Sequence, residues 1–357
     1  MTSNKERGDT IRRQILRDVK HHPSDIARHI GSIFSITPQA VNNHIRKLEQ
    51  DEYLSSVGTG KGKRYFLGDK REHRSAFLIG DGFAEDIIWR EHFSFIFDGI
   101  SENVVDICHY GFTEMVNNVI DHSEGVNVYI SVTRDKENIT ICIIDNGEGI
   151  FKRIKRLCNL SDARQSLLEL SKGKLTTDPD NHSGEGIFFT SRVFDIFEID
   201  STGLKFTHQD NVAFDFLMDS DLFSDEQGTL VFMQISRKSN RSIKDVFDQF
   251  TEGQDDYRFD KTIIPVKLAA YDNEKLVSRS QAKRLLIRIE KFSNVVFDFE
   301  GVPSIGQAFA DEIFRVYAQK NPHINLVPCN MNDDVSKMIN RAASNIIQEP
   351  NRVAGGF

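Results

Sequence analysis

The segment Phe112-Thr-Glu-Met-Val-Asn-Asn-Val-Ile-Asp-His122 decides the fold of the middle of this 357-residue chain. Its Glu114, Asn118 and His122 follow one another every four residues, which places them on one face of a helix. The residues directly after Glu114 and Asn118 are apolar and belong to the adjoining side of that helix. The segment therefore predicts a helix that packs along one side and presents a carboxylate, an amide and an imidazole on another.

Two glycine-containing turns follow further along the chain. The first, Asp145-Asn-Gly-Glu-Gly-Ile150, ends an apolar strand and places a carboxylate at the rim of a core. The second, His182-Ser-Gly-Glu-Gly-Ile-Phe188, leads into a helical pattern. A glycine turn before a helix presents free backbone N–H groups and the positive end of the helix dipole, and both favour a phosphate. Each turn alone is common in unrelated proteins, so the prediction of a nucleotide site rests on their order and spacing.

Strands are expected around these motifs. The apolar runs at residues 126–132 and 139–144 flank a polar turn and predict a hairpin that ends at Asp145. Further strands are predicted at residues 194–200, 212–218 and 229–235.

In this order, the three segments resemble the N, G1 and G2 boxes of the ATPase superfamily that includes gyrase, the heat-shock chaperone, histidine kinases and MutL (the GHKL or Bergerat-fold superfamily). Within it, Glu-x-x-x-Asn-x-x-x-His and Ser-Gly-x-Gly-Ile are most similar to the anti-sigma-factor serine kinases. Gly228-Thr229, before an apolar strand, resembles the final box, in which a threonine supports the adenine end. The resemblance covers residues 80–238 and implies a Bergerat-type α/β sandwich that binds ATP and Mg²⁺.

The resemblance also implies a role for each matching position. Asp145 would accept a hydrogen bond from the adenine amino group. Asn118 would hold Mg²⁺ through its amide oxygen, a suitable hard ligand. Glu114 would act as a general base toward water or a protein hydroxyl. The other nucleotide-binding residues implied are His122, Gly147, Gly149, Ser183, Gly184, Glu185, Gly186 and Thr229.

Residues 151–181 would form the lid over the nucleotide. The basic residues there that could neutralise phosphate charge are Lys152, Arg153, Arg156, Lys172 and Lys174. No His-Glu-Leu/Ile-Arg-Thr-Pro segment precedes the predicted pocket, and His92 and His109 lack that context. A standard sensor histidine kinase is therefore rejected.

The N-terminal residues 1–72 follow the order of a winged helix-turn-helix. Apolar residues at helical spacing predict a first helix, and Thr37-Pro38 reads as the N-cap and first-turn proline of a third. A glycine-rich basic turn at residues 58–64 and a short strand come next. Three helices followed by a basic hairpin predict a fold that commonly binds DNA.

Charge supports double-stranded DNA as the partner of this region. Residues 1–71 hold 14 Lys+Arg against 8 Asp+Glu, a net charge of +6. Since the whole chain has a net charge of −8, the remaining residues carry −14. A basic head on an acidic body suggests that the head alone meets a polyanion. A winged helix used for protein contacts is the alternative. The predicted DNA contacts are Thr37, Gln39, Asn42, Asn43 and Arg46 on the third helix, and Lys61, Lys63 and Arg64 on the hairpin.

Residues 258–348 alternate strand and helix and predict a small α/β domain. Within it, residues 295–311 resemble the STAS fold of anti-sigma-factor antagonists, in which a loop bearing a phosphorylatable serine follows an acidic strand end. That position is Gln307 here. Ser304 lies three residues earlier and could substitute, although a serine that caps a loop is the other interpretation. The resemblance implies a protein partner of the sigma or anti-sigma type.

The chain is expected in the cytoplasm and away from membranes. Four cysteines without a C-x-x-C pair argue against zinc and against a disulfide framework. No apolar run is long enough to span a bilayer, and the first residues lack a signal-peptide core.

The sequence thus predicts an α+β multidomain protein: a winged helix-turn-helix (1–72), a Bergerat ATPase domain (80–238) and a STAS-like α/β domain (258–348). The leading hypothesis is a prokaryotic transcriptional regulator in which ATP controls DNA binding. One alternative is a Ser/Thr kinase that acts on its own STAS-like domain or on a partner. Another is a MutL-like ATP-driven DNA clamp. Hydrolysis, phosphotransfer and a homodimer all stay open.

Overall fold

The structure, a computed structural model, describes residues 4–80, 82–175, 184–210, 216–220, 227–251, 259–270 and 274–344. It is a mixed α/β architecture in which three helices and a two-stranded sheet come first. A seven-stranded sheet with its helices follows, and a three-stranded sheet with helices comes last. We call these parts the head (residues 4–70), the central unit (71–248) and the C-terminal unit (259–344). In the described part of the chain, no helix combines the length and apolarity needed to cross a membrane.

The head has its own small core. Its helices bury Ile15, Val19, Ile30 and Ile45 completely or almost so. The predicted N-cap is confirmed, because Thr37 Oγ1 accepts a hydrogen bond from Ala40 N at 3.2 Å. The elements are α1 (Asn4–Asp18), α2 (Ile26–Phe34), α3 (Pro38–Gln50), and the antiparallel pair β1 (Leu54–Val57) and β2 (Arg64–Leu67).

The central unit is an antiparallel sheet with helices against one face. Its strand order is β3-β4-β5-β9-β6-β7-β8. Its elements are β3 (Arg71–Leu78), α4 (Glu85–Ile88), α5 (Glu102–His122), β4 (Asn127–Arg134), β5 (Asn138–Asp145), α6 (Ile150–Leu157), α7 (Gln165–Lys172), α8 (Gly186–Val193), β6 (Ile196–Ser201), β7 (Leu204–Gln209), β8 (Phe216–Asp219), β9 (Thr229–Ser236) and α9 (Ile243–Asp248).

The predicted hairpin is confirmed as β4 and β5, and the strand predicted at residues 229–235 is confirmed as β9. Two strands were missed. β3 pairs with β4 over eight residues, so the predicted boundary between residues 72 and 80 falls inside a strand of the central sheet. Its sequence, Arg-Glu-His-Arg-Ser-Ala-Phe-Leu, is too polar to show an apolar alternation. The other missed strand is β7. Of the separate strand predicted at residues 212–218, residues 212–215 lie outside the described residues.

The packing of α5 on the sheet orients the central unit. The helix buries Val104, Cys108, Phe112 and Met115 along one flank, at spacings of three and four residues. That flank contacts β5 and β9, whose inward residues alternate with outward ones. The adjoining face carries Glu114, Asn118 and His122.

The C-terminal unit has a parallel sheet with strand order β10-β11-β12. The predicted strand at residues 263–269 turns into a 3₁₀ segment, Val266–Ala269. The helix predicted over residues 279–291 ends at Leu286, and Arg288 then takes a left-handed conformation with φ of 65°. The elements are β10 (Lys261–Pro265), α10 (Arg279–Leu286), β11 (Asn294–Asp298), α11 (Gln307–Asp311), α12 (Ala318–Lys320), β12 (Asn325–Cys329) and α13 (Asp333–Ser344).

The units are attached to one another in different ways. The buried apolar residues of the central and C-terminal units form one continuous cluster, whereas those of the head form a cluster of their own. Ion pairs join the head to the central unit: Lys20 with Asp98, Glu52 with Lys136, and Asp69 with Arg237 at 3.0 Å. The head is therefore held largely by polar contacts and the C-terminal unit by a shared core.

The cap of α3 gives a first prediction. Thr37→Ala should lower the free energy of opening of the first turn of α3 by about 1 kcal/mol, because an N–H loses its acceptor. Hydrogen exchange of the amides in that turn should then be roughly fivefold faster. Thr37→Ser keeps the hydroxyl and should exchange like the parent. Parent-like exchange in the alanine variant would show that the cap contributes nothing.

Candidate functional site

A cavity in the central unit collects most of the residues that the sequence singled out. The space between its walls, including the open mouth, measures about 1150 Å³. Four segments distant in sequence form its polar part. The predicted residues that line it are Glu114, Asn118, His122, Asp145, Gly149, Gly184, Gly186 and Thr229.

The face of α5 next to its buried flank supplies the first wall. Glu114, Asn118 and His122 are half-buried there and line the cavity together, as the helical spacing predicts. The amide nitrogen of Asn118 lies 3.9 Å from Met115 Sδ. A Cβ at Gly186 would collide with Glu114 Oε2. The first turn of α8 therefore lies against the Glu114 carboxylate, which a side chain at position 186 would displace.

Asp145 lies at the end of β5 and is only 7% exposed. Its Oδ1 accepts a hydrogen bond from Gly147 N at 2.8 Å, and the Thr229 N–H also bonds to the carboxylate. Burial raises the pKa of Asp145 above its usual range even though both N–H groups act to lower it. The site thus holds a poorly hydrated acceptor that a ligand N–H could satisfy.

Backbone contacts fix the turn after Asp145. Gly149 has φ of +93°, and a Cβ there would lie 2.6 Å from Thr202 Cγ2. Thr229 Oγ1 accepts a hydrogen bond from Ile150 N at 3.1 Å. The turn is therefore tied to β9, and glycine is the residue that fits.

The N-terminus of α8 forms the neighbouring wall. Gly184, with φ of +72°, approaches Leu175 so closely that a Cβ would lie 2.5 Å from the Leu175 carbonyl carbon. Leu175 N donates to Gly184 O at 3.0 Å. This pairing holds the glycine turn beside the segment predicted as a lid and leaves the first residues of α8 at the cavity surface.

An apolar lining completes the cavity, and the sequence reasoning did not name it. Ile150 and Ile154 lie one turn apart on α6, a spacing that could have flagged them. Leu170 and Leu175 come from α7 and the residues after it, and no local pattern marks them as lining. The remaining apolar lining residues are Met115, Val119, Ile187, Phe188, Ile199 and Val231.

The basic residues of the predicted lid lie in different places and make different contacts. Arg153 lines the cavity and pairs with Glu124 at 2.5 Å. Arg156 makes two hydrogen bonds to Glu148, and Lys152 is exposed. Lys172 and Lys174 instead contact the C-terminal unit. Of these five residues, Arg153 is the one placed to meet an anion in the cavity.

Other predicted residues lie beside the cavity. Gly147 packs against Ser123, whose carbonyl a Cβ there would strike. Glu185 is the N-cap residue of α8. Ser183 lies outside the described residues, as do residues 176–181 of the predicted lid.

The predicted DNA contacts mostly lie on the head's surface. Thr37, Gln39, Asn43 and Arg46 are exposed on α3, whereas Asn42 is half-buried. On the hairpin, Lys61 and Arg64 are exposed.

Lys63 differs from the other hairpin cations. It pairs with Glu49 at 3.1 Å and lies over the Tyr65 ring, 4.7 Å from its centroid. Its charge is therefore already compensated within the head.

Comparison with known proteins identifies one region. Residues 281–336 match the family model of a STAS-like domain of unknown function (DUF4325). A search of curated proteins finds no match for the chain. The matched residues run from α10 into α13 and include β11 and β12. The chain therefore carries a STAS-like domain in its C-terminal unit.

Proposed function

We propose that the protein is an ATP-binding transcriptional regulator of the prokaryotic cytoplasm, in which the nucleotide state of the central unit controls a DNA-binding head. One observation carries this proposal: Glu114, Asn118, Asp145 and the turn at residues 184–186 converge on one cavity although they are far apart in sequence. Chance placement of a strand-end acid, a helix amide and a glycine-led helix around one space is a poor explanation.

The two ends of the cavity suit the two ends of ATP. Asp145 offers a desolvated acceptor among Ile150, Ile199 and Val231, which suits the amino group and flat rings of adenine. The N-terminus of α8 suits the phosphates. Arg153 is a further cation in the lining, although it also pairs with Glu124 and Glu148. The ligand class that fits is therefore a purine nucleotide with a phosphate chain.

The residues present also fit Mg²⁺. Mg²⁺ bound with a nucleotide takes one or two protein oxygens and fills its other positions with phosphate and water. Asn118 could supply one such oxygen. Among the described residues, no cluster of three or more His, Cys, Asp or Glu could hold a metal by itself. When bound, the ion would neutralise phosphate charge.

Two strands connect the cavity to the head. β5 ends at Asp145, and the turn before it carries Lys136, which pairs with Glu52 of the head. β9 begins at Thr229, and Arg237 after it pairs with Asp69. ATP can act on the head only if it binds one arrangement more tightly than another. The two arrangements of the head would differ in the ion pairs at the far ends of these strands.

A kinase is the second candidate, since Glu114 faces the cavity as a general base would. The geometry argues against transfer to the same chain's Ser304. The central unit contacts Asp260, Thr262 and Lys291, which lie at the amino ends of the parallel strands. Ser304 follows the carboxyl end of β11, a strand length away. A partner molecule is therefore a better source of a phosphoacceptor than Ser304 of the same chain.

Asp145→Asn should remove nucleotide binding. The introduced asparagine side chain would place an NH₂ donor against the adenine amino group, which is also a donor, so the hydrogen bond is lost. Mg-ATP should then no longer raise the unfolding temperature of the variant. The free variant should be more stable than the parent at neutral pH. The raised pKa means that the Asp145 carboxyl favours folding below its unfolded pKa of 3.8 and loses that contribution as pH rises through the folded pKa. Both effects are read from thermal unfolding against pH.

Asp135→Asn is the matched control. Backbone N–H groups of Asn138 and Glu137 lower the pKa of Asp135, so its contribution is present above 3.8 and is lost as pH falls through the lowered value. This variant should be less stable at neutral pH and should keep the response to Mg-ATP. An Asp145→Asn variant that binds as tightly as the parent would disprove the adenine assignment.

Glu114→Gln tests catalysis separately from binding. The substitution keeps the shape beside Gly186 but removes the base, so Mg-ATP should still bind while turnover falls about 10²- to 10⁴-fold. Labelled Mg-ATP, followed in parallel as free phosphate and as phosphoprotein, measures the loss and separates an ATPase from a kinase. Unchanged turnover would exclude Glu114 as the base.

The head is tested with Arg46→Ala combined with Lys61→Ala. Two lost phosphate or base contacts should weaken binding to duplex DNA and reduce the slope of log affinity against log salt by up to about 2. Lys337→Ala, which removes an exposed charge on α13, is the control and should bind like the parent. Gel shifts with and without Mg-ATP provide the measurement. Parent-like binding by the double variant would favour a protein-binding winged helix.

A further inference from the structure

A buried ion pair lies on α7, between the cavity and the C-terminal unit. The side chains of Glu169 and Lys172 are 3% and 2% exposed, and Lys172 Nζ lies 2.8 Å from Glu169 Oε1. Burying two charges carries a large desolvation penalty, which is offset only when their hydrogen bonds are complete. The role of this pair therefore depends on what else it bonds.

Lys172 completes its bonds across the boundary between the two units. Its ammonium also donates to Ile287 O at 2.8 Å and to Arg284 O at 3.1 Å, so its three N–H groups have three acceptors. Both carbonyls lie at the C-terminal end of α10, where carbonyls lack partners within the helix. A lysine of the central unit thus caps a helix of the STAS-like domain.

The chain around Lys172 is fixed to the same neighbour. Thr262 Oγ1 donates to Lys172 O at 2.7 Å. Arg288 Nη2 donates to Lys174 O at 2.6 Å, and its Nε lies 3.8 Å from Glu169 Oε2. The Glu169 carboxylate is thereby placed between two cations, one from each unit.

The same short segment also forms part of the cavity wall. Leu170 lies between the two charged residues, and Leu175 follows Lys172 by three positions; both line the cavity. Phe188, another lining residue, packs against Phe259 with ring centroids 4.6 Å apart. Phe259 in turn contacts Phe292 of the C-terminal unit at 5.3 Å. A shift of the C-terminal unit must therefore move this wall.

We propose that Glu169 and Lys172 are positioning residues through which the STAS-like domain holds the wall of the nucleotide cavity, so that nucleotide binding and docking of this domain are linked. The inference rests on the proposed function. Because a half-made buried network is unfavourable, the contact is either complete or opened to water, and it offers two discrete states. Linkage is reciprocal: a docked domain strengthens nucleotide binding, and nucleotide strengthens docking by the same factor.

The test uses the full chain with Glu169→Leu and Lys172→Met combined. Apolar residues of similar size commonly replace a buried pair without loss of folding, but they cannot cap α10. Hydrogen exchange at residues 284–291 should rise, and the Kd for Mg-ATP should increase by about tenfold, within the usual range for coupled sites. In the parent, Mg-ATP should slow exchange at residues 284–291, which lie outside the cavity; in the variant it should not.

Two further variants keep the outcome interpretable. Thr262→Val removes only the hydrogen bond to Lys172 O, and should shift both measurements in the same direction by a few-fold. If the double variant fails to fold, Thr262→Val still tests the linkage. Lys337→Met on α13 lies in the same domain, pairs with Asp334 of that helix, and should change neither measurement.

The outcomes separate the two proposals. A variant with faster exchange at residues 284–291 and parent-like affinity for Mg-ATP overturns the linkage and leaves the nucleotide site standing. Unchanged exchange at those residues also overturns it, because the pair would not hold the domain. A parent that shows no binding of Mg-ATP overturns the proposed function and the linkage together.

Discussion

The site depends on one packing constraint, the burial of a single flank of α5 against the central sheet. Val104, Cys108 and Phe112 are fully buried there, and their packing fixes the rotation of α5 about its own axis. At Gly111 the helix passes so close to the Phe194 ring that a Cβ would collide with it. The polar flank is therefore directed at the space in front of the sheet. The strand-end aspartate and the N-terminus of α8 are arranged around this helix, which is why they can meet in one cavity.

The two neighbours of the central unit are attached at different places and by different forces. The head is joined by ion pairs: Glu52 and Asp69 pair at the far ends of β5 and β9, and Lys20 pairs with Asp98. Such exposed pairs individually contribute about 0–1 kcal/mol and weaken with salt. The C-terminal unit shares a continuous apolar core with the central unit. The head is thus attached by contacts that salt weakens, and the C-terminal unit by a shared apolar core.

Charge is buried at the two places where the cavity is shaped. Asp145 keeps a carboxylate in an apolar wall, and burial raises its pKa. Lys172 is buried as well, and desolvation lowers its pKa. Replacing such buried charges by apolar side chains of similar size is often neutral or stabilising. Asp145 lies in the cavity wall and Lys172 behind it, so each charge lies where its proposed role requires it.

The sequence by itself determined the features that depend on local periodicity. It placed Glu114, Asn118 and His122 on one helix face, ended a strand at Asp145, and capped α3 at Thr37, because helix spacing, strand ends and caps are set within a few residues. Tertiary structure alone decided that β3 joins the central sheet, since its polar sequence gains its strand pairing from β4. It also decided that Lys172 is buried: an isolated helical lysine gives the pattern of a solvent-facing residue, and its acceptors, Arg284 O and Ile287 O, lie more than a hundred positions away.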